Sequence, residues 1–209
     1  MSELVGIVAV VVVAWFAAGT IWNVRLGREL MRWMQSGLPV LGERTTVRWL
    51  GSTAVEMVID KAKAQFAKVT VVVFLEPRDL PWWPASRLRG RRDTLIVRGV
   101  LRRTPAVELE ALQPASWSAR DARPRVPAEW SVSEARTSHG VVVQQASAAA
   151  LARADALLTE GERAGLTVWR LSVRRTEPNF QIHVALPDRG QPAREFFEAV
   201  QRLAELALS

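Results

Sequence analysis

The sequence predicts an α+β protein: one N-terminal transmembrane helix, a β-rich section, and a C-terminal β-α-β-β-α section. Three observations carry that reading. No charged residue lies between Glu3 and Arg25. Short β-branched runs then follow, several with alternating polarity and bounded by Gly, Pro or Ser. Beyond residue 137, two longer runs with helical period are interleaved with strands.

Residues 4–22 read LVGIVAVVVVAWFAAGTIW. At about 1.5 Å per residue, a helix of this length covers roughly 28 Å, close to the ~30 Å of a bilayer's hydrocarbon core. Ten of these 19 residues are Leu, Ile, Val or Phe. Each favours insertion by about 0.3–0.6 kcal/mol near the membrane centre. A cleaved signal peptide and a buried soluble helix compete with this reading. The segment before the run has no Lys or Arg, and the apolar run continues past Ala17, Ala18 and Gly19 to Ile21 and Trp22, which argues against cleavage. The length argues against a core helix. Trp22, beside Asn23 and Arg25, is a candidate membrane-interface residue. Arg25, Arg28 and Arg32 follow, offset only by Glu29. The positive-inside rule then places the N-terminus outside the cell membrane and the bulk of the chain in the cytoplasm. The absence of Cys is consistent with a reducing compartment.

Residues 23–36 read as a juxtamembrane amphipathic helix with its arginines along one side, ended by Ser36-Gly37-Leu38-Pro39. The β-rich section covers 43–112. Strands are expected at 44–50 and 54–60, joined near Gly51-Ser52, at 68–76 as a central strand, and at 93–101 and 106–112. Residues 113–136 turn polar, with Pro114, Pro124 and Pro127, and read as a linker or long surface loop. The α+β section covers 137–208. It holds a strand at 140–145, a helix at 147–164 stopped at Gly165, and a strand at 166–175 with Val168, Arg170, Ser172 and Arg174 on one face. A turn at Pro178, a strand at 179–187 and a closing helix to Leu208 complete it. Pro192 would be the first helical residue. Phe196, Phe197, Val200, Leu203 and Leu206 form that helix's apolar face.

The formal net charge is +7, from 25 Arg and three Lys against 21 acids. For a basic domain at a membrane, lipid headgroups and RNA are the natural anionic neighbours; a solvated basic surface is the alternative. Catalytic patterns are missing. There is no Cys, no phosphate-binding glycine loop, and only two histidines. His139 sits in a Ser-His-Gly turn, and His183 on a strand's polar face reads as a surface or helix-covered residue. Neither has a partner at metal-ligand spacing. Asp60, Asp79 and Asp93 are acids that no motif joins. No cofactor is expected, and no small-molecule substrate is evident.

One local feature rises above this background. Residues 77–93 read PRDLPWWPASRLRGRRD. Trp82 and Trp83 are candidates for the membrane interface. Arg87, Arg89, Arg91 and Arg92, with Arg25, Arg28 and Arg32, are candidate contacts to anionic lipid or RNA. The competing reading has the tryptophans capping the sheet and the arginines facing solvent.

The same segment resembles the central domain of calumin, a eukaryotic coiled-coil-domain-containing membrane protein of the endoplasmic reticulum. The matching residues are Arg78, Asp79 and Leu80, then Ala85 and Arg89, then Asp93. The order around them is similar too, over most of residues 4–208: one span, a Trp-containing amphipathic piece, a β section and a late β-β-α ending. The resemblance implies a cytosolic domain beside the Sec translocon and the ribosome, acting with a chaperone partner in multipass membrane-protein insertion. It implies no catalytic residue. The family's long acidic luminal region and basic coiled-coil tail have no counterpart in residues 4–208, so ribosome binding through such a tail does not carry over.

The expected function is therefore that of a membrane-anchored, non-enzymatic partner-binding or scaffold protein. Its expected partners are the membrane, a translocon or other integral membrane proteins, and the ribosome. An anionic-lipid-binding, membrane-organising domain is the alternative, and a membrane-tethered enzyme is a third class.

Overall fold

Helix α1 (Ser2–Gln35) joins the apolar stretch and the amphipathic segment in one unbroken rod. The computed structural model describes residues 2–134, 139–143 and 148–209. From Ser2 to Ala18 every side of α1 is exposed, and the helix is long and apolar enough to cross a membrane. From Gly19 onward one stripe turns inward: Gly19, Asn23, Gly27, Leu30 and Met34 are buried. Their spacing of three or four residues keeps them on one helical face. A single helix is thus lipid-like at one end and part of a protein core at the other.

The remaining chain builds a nine-stranded sheet among the described residues. In chain order the strands are β1 (Gly42–Trp49), β2 (Ala54–Ala62), β3 (Phe66–Phe74), β4 (Thr94–Leu101), β5 (Leu109–Leu112), β6 (Ser131–Glu134), β7 (Gly140–Val143), β8 (Val168–Val173) and β9 (Phe180–Ala185). Their spatial order is β1-β2-β3-β4-β9-β8-β5-β7-β6, and each neighbouring pair is antiparallel. The β-rich and C-terminal sections therefore share one sheet. Strand β9 lies against β4, with Ile96 opposite His183, and β8 lies against β5, with Glu110 opposite Ser172.

Alternation divides the sheet into two faces. Met57, Ile59, Val71, Val73, Leu95, Val97, Leu171, Ile182 and Val184 face one way and are buried in the main core. Helices α4 (Ala148–Arg163) and α5 (Ala193–Leu208) contribute Leu157, Leu158, Phe197, Val200 and Leu203 to that core, and α1 contributes Leu30 and Met34. Phe66 and Phe180 meet edge to face at its centre, 5.8 Å between ring centroids. The opposite face carries Arg98, Glu110, Arg170, Ser172, Gln181 and His183.

Segment 113–136 is more than a linker or surface loop. It contains helix α3 (Trp117–Ala122), a 3-10 turn at Arg123–Arg125 and strand β6. Ser116 caps α3, its hydroxyl accepting the Ala119 N–H at 3.1 Å. Only Ala119 and Ala122 are buried on that helix, packed with Leu112, so no large apolar residue marks it in the sequence. Pro192 is the extended cap of α5 rather than its first helical residue. Strand β5 begins at Leu109, three residues later than expected. The expected ends at Gln144, Gln145 and Ser147, the last residues of the expected linker (135–136) and residues 137–138 lie outside the described residues.

Replacing Phe180 by Ala removes a fully buried ring. It is expected to cost about 3–5 kcal/mol of unfolding free energy, measured by urea denaturation of the full chain in mild detergent.

Candidate functional site

The β3–β4 connection, which holds the Trp- and Arg-rich segment, is fastened to α1 by a polar network. Gly19 lets the backbone of Arg78 and Asp79 touch the helix; any side chain there would collide with it. Asn23, with 0% exposure, donates to the Glu76 carbonyl at 3.1 Å and accepts from Arg78 at 3.1 Å. Arg78 binds Asp93 through two hydrogen bonds, 2.9 and 2.6 Å. Asp93 also accepts the Glu76 backbone N–H at 2.7 Å. The buried Glu76 carboxylate in turn accepts from the Trp83 indole and from Arg87. The Arg78 guanidinium lies 5.8 Å from the Trp22 ring centroid and 5.9 Å from that of Trp83.

This arrangement sorts the candidate contacts. Arg87 is a structural partner of Glu76. Arg92 donates to the Arg87 and Arg91 carbonyls at the end of helix α2 (Trp83–Leu88). The Arg89 carbonyl is held by Arg120. Trp82 is 61% exposed and Leu88 90% exposed, while Trp83 is half-buried. Trp22 is exposed on the last turn of the apolar stretch. Arg25, Arg28 and Arg32 are all exposed. Arg28 and Arg32 border a groove between α1 and β1 floored by Met31, Val47 and Met57, whereas Arg25 borders another hollow beside Trp22 and Arg189. The two arginine sets do not converge on one site. Asp60 pairs in register with Arg44 on the outer hairpin, with two strands between it and the strand of His183.

The polar sheet face holds a buried carboxylate, Glu110, and a buried histidine, His183. Glu110 accepts from Arg170 at 3.0 and 2.9 Å, from Ser172 at 2.7 Å, and from Arg174 at 3.2 and 2.8 Å. Burial pushes its pKa up, but the Arg170 pair and the Ser172 and Arg174 donors outweigh it and hold the carboxyl below its usual range. Arg174 in turn stacks over Trp130 at 4.2 Å. His183 is held between Gln181 and Ser118, its Nδ1 3.0 Å from the Ser118 hydroxyl oxygen. Nε2 faces the Gln181 amide, and the direction of both bonds follows the ring's tautomer. Burial, then the charges of Arg170, Arg98 and Arg125, push the His183 pKa down to about 3.

Around His183 lies a hollow of about 260 Å³. The α2–β4 connection (Gly90, Arg91, Arg92) forms one wall and α3 (Trp117, Ser118, Asp121) another; Arg98 and Gln181 belong to its floor. Arg91 and Arg92 were visible in the sequence as a basic run. Arg98, Arg125 and Arg170 were not singled out as a group, because they reach the hollow from β4, the turn after α3, and β8. The one available signal was the polar face of 166–175. No group of metal-ligating side chains occurs among the described residues.

Both buried groups tie stability to pH in the same direction. His183 resists the proton that the unfolded chain takes up below about pH 6.5, so stability falls as pH drops from about 6.5 toward 3. Glu110 adds stability that is lost below about pH 4.5. The urea midpoint is expected to decline already between pH 6.5 and 5, and His183→Gln is expected to flatten that part of the curve. No protein-family model matches the chain, and no curated protein matches it significantly.

Proposed function

We propose that this chain is a single-pass membrane-anchored protein that works by binding partners at the cytosolic face of the cell membrane rather than by catalysis. The observation that carries the reading is Asn23, fully buried in the network that joins α1 to the β3–β4 connection. A domain fastened to its own membrane helix keeps a fixed height and orientation at the bilayer. That suits a scaffold whose contacts must be in register with another membrane protein, and it is more than an enzyme's flexible tether requires. The cationic flank Arg25, Arg28 and Arg32 supports the orientation with the N-terminus outside.

The groove between α1 and β1, about 550 Å³ and floored by Met31, Val47 and Met57, continues the line of the membrane helix. It is the surface we assign to an integral membrane partner. The calumin resemblance suggests which one: a Sec-type translocon during membrane-protein insertion, with the ribosome as neighbour. In gentle detergent the full-length protein is expected to co-purify with translocon subunits or to co-sediment with ribosomes, and Val47→Arg is expected to lower that yield. Absence of both from a well-expressed preparation would sink the reading.

A second reading rests on a separate observation. Trp82 and Leu88 are exposed on a segment docked at Gly19–Asn23, level with the last turn of the apolar stretch. Such a segment suits the headgroup layer. It predicts that Trp82 emission shifts blue in a single-Trp variant when the protein is moved from detergent into bilayers containing anionic lipid. An unchanged spectrum would count against interfacial immersion.

A further inference from the structure

The hollow around His183 carries positive charge that the domain itself does not balance. Five arginines line it (Arg91, Arg92, Arg98, Arg125 and Arg170) against one acid, Asp121. Arg125 is paired with Asp121, and Arg170 with Glu110. Arg91, Arg92 and Arg98 have no acidic partner among the described residues; Arg92 donates only to the two carbonyls of its own turn. They enter from different directions, two from the α2–β4 connection and one from the floor strand opposite Gln181. Neutral hydrogen-bonding groups stand beside them: the Ser118 hydroxyl and the Gln181 amide, both next to the His183 ring. The volume of about 260 Å³ is just under the ~300–1,000 Å³ of drug-sized ligand sites, enough for one anionic group and a short substituent.

We propose that this hollow is a binding site for a phosphate or phosphomonoester, held by the guanidiniums of Arg91, Arg92 and Arg98. Guanidiniums match tetrahedral oxyanions through paired N–H donors. The group can come from an anionic lipid headgroup or from a free phosphate. The inference stands on the hollow alone and does not depend on the partner-binding reading above.

The test uses the full chain in phosphatidylcholine nanodiscs. With only two histidines in the sequence, the imidazole ¹⁵N signals of His183 can be followed individually. Inorganic phosphate is titrated in one arm, and phosphatidic acid replaces part of the lipid in the other. A saturable shift of the His183 signals is expected, with its protonation midpoint raised because an anion offsets the neighbouring arginines. Arg98→Gln, at an exposed position, is expected to weaken binding about tenfold or more. Arg194→Gln removes the same charge far from the hollow and is expected to change binding less than about twofold. A response to inorganic phosphate alone supports a free ligand, and a response to phosphatidic acid alone supports a headgroup. No saturable response in either arm, or equal losses in the two variants, overturns the proposal.

Discussion

The ion pair between Arg78 and Asp93 is the constraint on which the rest of this architecture depends. Its side chains are only 9% and 18% exposed, so both charges give up most of their water. Such a pair is favourable only when its geometry is good and its remaining hydrogen-bonding capacity is used. Here the contact is two-pronged, Arg78 also reaches Asn23, and Asp93 also takes the Glu76 N–H. The network closes the 19-residue excursion between two neighbouring strands and fixes it against α1 in one register. A glycine at position 19 is what makes the approach possible. The placement of α2, of the tryptophans and of the arginine run all follows from that closure.

The sheet separates stability from chemistry by its pleat. One face is apolar and covered by α1, α4 and α5. The other places charged side chains against a single short helix. The alternate residues of β8 and β9, namely Arg170, Ser172, Gln181 and His183, are polar and with Arg98 of β4 make up the second face. Its acid is satisfied internally: Glu110 has five donated hydrogen bonds from three residues. Burial first, and then the surplus of arginines over acids on this face, keeps His183 neutral.

Strands and helices were largely legible from period and from Gly and Pro punctuation, because those signals are local. The strand order was not. Nothing near residues 94–101 indicates that β9 lies beside β4, since that pairing joins segments more than 80 residues apart. Helix α3 escaped notice because it buries only alanines. The arginine run was legible as a run but not in its uses. Arg87 looks like its neighbours in sequence, yet it is committed to Glu76, an acid that precedes the tryptophans. The residues behind the calumin resemblance, Arg78, Asp79 and Asp93, all belong to the docked connection; Asp79 accepts from Ser52 at 2.9 Å. A short pattern of this kind therefore has a physical reason in this chain, the closure of a loop on α1, independent of ancestry.

That closure also bears on the hollow. The connection whose first half is tied to α1 supplies Arg91 and Arg92 with its second half. Asp93, which anchors Arg78, immediately follows them and begins the approach to β4. Holding guanidiniums close together without a counterion is unfavourable, since like charges repel and exposed arginines would otherwise disperse into solvent. Here the dispersal is limited, because Asp93 fixes the chain at one end and Glu76 holds Arg87 at the other. The same bonds that orient the domain on its helix thus maintain an uncompensated charge beside a neutral histidine. An anion entering that space would meet donors already positioned, and little of its binding energy would be lost to ordering them.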